Sequence, residues 1–165
     1  MKLFKLFLKN VALKVAVIGI AIFLLLQFVL GFHYYRGNDM FPNIKDGDFV
    51  VTWKLDPLQA NDVVMYKAPS GKTRLGRVVA KGGDKVSFTD DGELRVNDSI
   101  VSEEVFYATT STGNKVTYPD IVPADEYFIL NDYRSVSEED SRTYKSIAKQ
   151  NINGRVILLF RRRGF

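Results

Sequence analysis

Val15-Ala16-Val17-Ile18-Gly19-Ile20-Ala21-Ile22-Phe23-Leu24-Leu25-Leu26-Gln27-Phe28-Val29-Leu30-Gly31-Phe32 is an 18-residue run in which only Gln27 is polar. As a helix it spans about 27 Å at about 1.5 Å per residue, close to the hydrocarbon thickness of a bilayer. Val11 to Leu13 extend it, with Lys14 reaching back toward the headgroups. Lys2, Lys5, Lys9 and Lys14 are the only charged residues before Arg36. Lysines on one flank of an apolar segment keep that flank cytoplasmic and place the chain on its far side outside. His33, Tyr34 and Tyr35 then fall where an interfacial aromatic belt belongs. A cleaved signal sequence has a shorter apolar core and a small-residue cleavage site. Gly31-Phe32-His33-Tyr34-Tyr35 offers no such site, so the run reads as an uncleaved, single-pass anchor in the cell membrane. Residues 1–35 are expected to form the lysine-rich end and the anchor, and residues 36–165 an extracytoplasmic domain.

Working outward, the charge falls into place. The whole chain of 165 residues carries a formal +4, but from Arg36 onward 19 basic residues face 19 acidic ones. The excess positive charge therefore belongs to the anchor's flank and is no footprint for nucleic acid. The chain has no Cys and a single His, His33. Disulfides, thiolate zinc sites, a Cys nucleophile and His-rich metal sites are excluded. No cofactor is implied.

Beyond Arg36 the texture becomes that of a mainly β domain. Phe49 to Trp53, Val63 to Tyr66 and Arg74 to Ala80 read as strands. Lys85 to Phe88 and Glu93 to Val96 flank Asp90-Asp91-Gly92, a hairpin signal, and Asn97-Asp98 is a further turn. Thr109 to Lys115 reads as an exposed loop, Ser137 to Gln150 as holding one short helix, and Tyr127 to Leu130 and Arg155 to Phe160 as late strands. Strand alternation puts Phe49 and Trp53 in the core.

Three segments then come one after another in a telling order. The first is Asn38-Asp39-Met40-Phe41-Pro42-Asn43-Ile44-Lys45-Asp46-Gly47-Asp48, the second Arg77-Val78-Val79-Ala80-Lys81-Gly82-Gly83-Asp84. The third is Asn131-Asp132-Tyr133-Arg134-Ser135-Val136-Ser137-Glu138-Glu139-Asp140-Ser141-Arg142, with Ile152-Asn153-Gly154-Arg155-Val156 closing the series. After one N-terminal anchor, this order resembles the type I signal peptidases, family S26. The first segment is similar to their Ser-Met-x-Pro-Thr stretch with Gly-Asp, the second to Lys-Arg-Val-x-Gly-x-Pro-Gly-Asp. The third is similar to Gly-Asp-Asn-Arg-x-x-Ser-x-Asp-Ser-Arg, one residue longer here. The resemblance implies a signal-peptidase-like β domain and a Ser-Lys dyad, in which a desolvated neutral Lys takes the proton of the attacking hydroxyl.

The matching positions depart from that dyad. Asp39 stands where the motif has Ser, and Gly76 where it has Lys. Substitutes nearby are poor. Arg74 shares a strand face with Gly76 at about 7 Å, but a guanidinium is not deprotonated in a protein. Lys72 lies about 13 Å along the strand, and Lys81 has the opposite parity. Asp39 could activate water with a second carboxylate from Asp48, Asp132 or Asp140, although no sequence cue places one beside it; its plain reading is a carboxylate paired with Lys or Arg. Ser141 reads as a turn cap within Asp140-Ser141-Arg142. The expectation is therefore no catalytic residue, with an active membrane endopeptidase of unusual site as the alternative.

A cleft outlives its dyad in this reading. Asp39, Met40, Phe41 and Pro42 on one side and Arg74, Gly76, Arg77 and Val78 on the other should wall a groove that takes an extended peptide. Asp132, Arg134, Asp140, Ser141 and Arg142 should form the supporting motif. Gly76 in place of a long side chain should leave extra room. Phe41 is placed to touch lipid, and Arg161-Arg162-Arg163 reads as a solvated tail or a contact to anionic lipid. The inactive branch of the family that accompanies pilin and sortase genes in streptococci is similar to this chain. That resemblance implies an accessory, chaperone-like role in surface pilus assembly, with a pilin subunit or a sortase as partner.

Overall fold

The computed structural model describes residues 2–55, 57–101, 109, 116–135 and 139–161. Helix α1 runs from Lys2 to Leu24 and passes into a π-helical turn over Leu25–Val29. Phe7–Val29 is long and apolar enough to cross a membrane. The helix does not continue to Phe32 as the hydropathy suggests. At Leu30 the backbone becomes extended (φ −109°, ψ 152°), and Leu30–Tyr34 is strand β1. Strand β2, Phe49–Trp53, is the cause: five successive antiparallel pairs, from Leu30 opposite Trp53 to Tyr34 opposite Phe49, satisfy the backbone there. Tertiary pairing overrides a helical apolar pattern. The sheet accordingly begins before Arg36, inside the segment assigned to the anchor.

The remaining strands are β3 (Val63–Lys67), β4 (Thr73–Lys81), β5 (Lys85–Phe88), β6 (Leu94–Val96), β7 (Ser99–Ile100), β8 (Asp120–Ile121), β9 (Glu126–Leu130), β10 (Ile147–Ala148) and β11 (Ile152–Phe160). The larger sheet has the order β1-β2-β11-β3-β4-β9-β10 and the smaller β7-β6-β5-β8. The Asn97-Asp98 turn between β6 and β7 has positive φ at both residues (51° and 65°), the geometry that matches strand twist. Strands β7, β8 and β10 are two residues each and gave no period to read. The late helix is a single turn, α2 (Ser141–Tyr144), followed after β10 by a 3-10 turn at Lys149–Asn151. Residues 137–138 of the expected helix segment and 110–115 of the expected loop lie outside the described residues, as do Arg162 and Arg163 of the expected tail. Thr109 is buried rather than exposed, because its hydroxyl accepts from Arg134 Nη1 at 3.1 Å.

Three apolar clusters hold these layers. One joins the two sheets through Phe128, Leu130, Val86 and Leu94. One lies under the β1–β2 connection through Met40, Ile44, Val50 and Leu75. The third packs Val64, Tyr66, Val78, Ile129 and Ile147 along the sheet centre. Gly154 lets β11 cross from β3 to β2. Its φ is +144°, and a Cβ there would sit 2.6 Å from the Trp53 carbonyl oxygen. The ladder is irregular at that crossing, as expected where one strand serves two neighbours.

Candidate functional site

The connection between β1 and β2 carries Asp39 to Pro42, the first group of residues expected to line a groove. Tyr35 N–H donates to Asp48 O and Gly47 N–H to Tyr35 O, which folds the segment back on itself. Met40 is fully buried, and Phe41 and Pro42 are half-buried. Phe41 meets Tyr133 edge-on at 6.3 Å and carries Lys45 over its ring, so its partners are protein groups. Tyr133 N–H donates to Asp39 O at 2.8 Å and ties this wall to the segment after β9.

Asp39 is drawn into a polar chain. Its Oδ2 accepts from Arg74 Nη1 at 2.9 Å and from the Tyr35 hydroxyl at 3.1 Å. Both members of the ion pair are mostly buried. Arg74 Nη2 lies 3.2 Å from Glu139 Oε1, so one guanidinium bridges two carboxylates. Glu139 accepts also from Lys72, Ser70 and Tyr144, and its carbonyl from the Tyr66 hydroxyl at 2.7 Å. Burial pushes the Tyr35 phenol well above its ordinary range, and the Asp39 charge adds to this. Burial does the same to Tyr66. At Glu139 burial pushes upward, but the hydrogen bonds from Ser70, Lys72 and Arg74 prevail and hold the carboxyl below its ordinary value.

Asp48, Asp132 and Asp140 are engaged elsewhere and none pairs with Asp39. Asp48 accepts from Lys45 N–H. Asp132 takes a forked bond from Arg77, 2.8 Å from Nε and 2.6 Å from Nη2, and a third from Asn43 Nδ2. Asp140 and Arg142 form a fully buried pair at 2.7 Å. Arg134 is fully buried and donates to Asn131 O at 2.7 Å. It is Asp140, not Ser141, that caps α2, accepting from Arg142 N–H. Ser141 is buried, and its hydroxyl accepts from Ile129 N–H at 2.8 Å, which ties the start of α2 to β9. Among the described residues no group of three His, Cys, Asp or Glu side chains gathers to hold a metal ion.

The expected room at Gly76 does not exist. A Cβ built there would lie 2.5 Å from Ile129 Cγ2, 3.1 Å from Tyr66 Cε1 and 3.3 Å from Leu130 O. Neighbouring side chains fill the position. The glycine suits the close packing of Ile129 and Tyr66 at this position, where an added Cβ would force the Ile129 side chain to shift. Val78, two residues on, is fully buried in the same cluster and belongs to the core more than to the cleft. The first half of β4 lies outside the β9 ladder, although Leu75 and Gly76 in it are buried. Thr73 to Gly76 pair with β3, whereas the β9 ladder starts at Arg77 opposite Leu130.

Phe49 and Trp53 also differ from expectation. On β2 it is Val50, Val51 and Thr52 that are buried, while Phe49 and Trp53 are half-buried. Phe49 stacks on Phe32 at 6.2 Å and meets Phe160 at 6.1 Å, outside the core clusters. The Arg74–Glu139 bridge was not foreseen. Glu139 sits in a segment with no readable period, and only its charge between Lys72 and Arg74 in space explains its role.

A single apolar helix that feeds an antiparallel β domain, with the β1–β2 connection tied to β4 by the Asp39–Arg74 pair, defines a signal-peptidase-like scaffold. The family model described as signal peptidase, peptidase S26 matches residues 8–161, and the chain belongs to that family. It is 30% identical over 156 residues to the Inactive signal peptidase IA of Staphylococcus aureus strain Mu50, covering 87% of each chain. It is 26% identical over 166 residues to Signal peptidase IB of S. aureus strain COL, covering 90% of this chain and 86% of that protein. The crystal structure of a signal peptidase I from Enterococcus faecalis V583 has the same fold, with a TM-score of 0.53 at 22% identity over 62% of this chain and 98% of that one.

Proposed function

We propose that this protein is a membrane-anchored, non-catalytic signal peptidase homologue that holds an extended segment of a partner protein. The closed position at Gly76 carries the reading. In the family motif that position holds the Lys base, and here Ile129 and Tyr66 occupy the space a side chain would need. The carboxylate at the nucleophile's position is bound by Arg74, a cation that cannot take a proton. A relative named as an inactive signal peptidase is in keeping with this. Among the described residues Thr73 to Gly76 pair with β3 alone, which suits a peptide that adds as a strand on the other side. Helix α1 serves as the anchor, its lysine-bearing end cytoplasmic and the β domain outside. The partner class is a pilin subunit or the sortase that joins pilins, and the role is accessory to surface pilus assembly.

The test uses the full-length protein in detergent with purified pilin precursor and sortase, followed by mass spectrometry, with Asp39→Ala alongside. The expected result is a co-purifying complex and no site-specific cleavage in either form. Site-specific cleavage that disappears in Asp39→Ala would replace this reading with an endopeptidase of unusual site.

A further inference from the structure

We propose that Ser70, Lys72, Arg74 and Tyr144 form a carboxylate-binding site. The protein's own Glu139 fills it in the free molecule, and an acidic side chain of the held segment fills it in the complex. The occupant rests on β4 being the edge that receives a peptide; the site itself rests on its donors. Glu139 Oε1 lies 3.3 Å from Lys72 Nζ and 3.2 Å from Arg74 Nη2. Its Oε2 accepts from the Ser70 hydroxyl at 3.1 Å and from the Tyr144 hydroxyl at 3.3 Å. One oxygen thus takes two cations and the other two hydroxyls, which uses the full accepting capacity of a carboxylate. An ordinary surface ion pair brings a single cation.

Most of the donors keep their places without Glu139. Ser70, Lys72 and Arg74 stand at alternate positions along the turn into β4. That turn is closed by Gly71 N–H to Ala68 O at 2.8 Å and by Ala68 N–H to Lys72 O at 2.9 Å. Tyr66 pairs with Arg74 across the ladder, and Asp39 holds Arg74 Nη1 from the other side at 2.9 Å. Taking the Glu139 carboxylate away therefore leaves Lys72 and Arg74 facing Asp39 alone, with positive charge in excess. The main chain of Glu139 is fastened separately, because its carbonyl accepts from the Tyr66 hydroxyl at 2.7 Å. The side chain can swing out on its own torsions while the backbone stays.

The site has an open side next to the edge of β4. The Lys72 side chain is 64% exposed against 17% for Glu139, and Ser70 is exposed as well. Thr73 to Gly76 follow directly and, among the described residues, pair with β3 alone. An antiparallel strand laid along their other side brings a side chain to about 4.5–5.5 Å from its opposite neighbour, Cβ to Cβ. An Asp or Glu opposite Arg74 is then within reach of Arg74 and Lys72. Exchanging one carboxylate for another preserves the charge balance and the hydrogen bonds. A neutral or cationic side chain that displaced Glu139 would leave two cations uncompensated. Glu139 is in this way a selector for an acidic segment.

The site is tested with full-length Glu139→Ala in detergent and propionate, which is a Glu side chain without its backbone. Ionic strength is held constant with chloride, and propionamide is the neutral control. The expected result is a melting temperature that climbs with the logarithm of propionate concentration. Wild type should not respond, and Lys72→Ala/Glu139→Ala should lose the response. No rise, or an equal rise with propionamide, would overturn the site. The occupant is tested by co-purification of pilin precursor and sortase with wild type and with Glu139→Gln, which keeps the size of the side chain and gives up its charge. Glu139→Gln should retain more partner than wild type, and propionate should release it. Equal retention with no release by propionate would overturn the acidic occupant and leave the groove as a peptide site. Absence of partner from both proteins would remove the peptide-holding groove, and the occupant with it.

Discussion

If Gly76 is closed by packing and is no vacancy, restoring a side chain there must strain the core. Consider Gly76→Ala. The added carbon would sit 2.5 Å from Ile129 Cγ2, against a comfortable separation of about 3.5–4.0 Å. Roughly 1 Å must be recovered by β9 or by the Ile129 rotamer. Ser141 holds Ile129 by its backbone N–H, which limits that movement. Overpacking of this size costs about 1–3 kcal/mol. For a chain of this length that lowers the melting temperature by about 2–12 °C. Ile129→Ala removes the colliding Cγ2 but opens a cavity, costing about 2–5 kcal/mol alone. The double variant should be more stable than the sum of the two losses, by about 0.5–3 kcal/mol. Urea denaturation of the four proteins in one detergent gives the cycle. A neutral Gly76→Ala with strictly additive losses would refute the reasoning. Asp39→Ser with Gly76→Lys should accordingly remain inactive, because the long side chain has no path past Ile129 and Tyr66.

Two further outcomes come from the polar groups. Glu139 is held below its ordinary range, so it contributes stability above its unfolded pKa that is lost as pH falls through the lower folded value. The stability gap between wild type and Glu139→Gln should shrink on acidification from neutral to below the ordinary carboxylate range; a gap that stays constant in denaturant titrations would exclude the bridge to Arg74 as its source. Arg142→Ala leaves the fully buried Asp140 carboxylate without its cation and should cost about 3–5 kcal/mol, read as a shifted urea midpoint; a loss below about 1 kcal/mol would contradict burial of the pair.

How much of this was legible in the sequence depended on what carried the signal. Strands with a strong apolar pattern, such as Phe49–Trp53 and Lys85–Phe88, were read at their observed bounds. The helix was found, but its end was misplaced, because Leu30-Gly31-Phe32 is apolar in either state and only the pairing with β2 decides. The charge of Asp39 points to pairing with a Lys or Arg, and the fold supplies Arg74 as that partner. The filling of Gly76 was hidden, since Ile129 lies on another strand and no local pattern reports a contact across the sheet. Glu139 was hidden for the same reason. Phe49 and Trp53 were misplaced because alternation gives two faces and does not say which one is covered.

The scaffold's shape and the proposed loss of chemistry have separate physical supports. The shape rests on the Asp140–Arg142 pair, on the forked Arg77–Asp132 bond and on Ser141 holding β9. None of these side chains bonds to Asp39, and none supplies one of the atoms nearest to a Cβ at Gly76. A change at position 39 therefore leaves those supports in place, whereas a side chain at 76 presses on Ile129, which Ser141 holds. Conversely, the Arg74 bridge joins the Asp39 wall to Glu139 through charges that a nucleophilic Ser would not supply. The carboxylate at 39 thus ties the two walls of the cleft together, and the glycine at 76 lets the strands beneath it close.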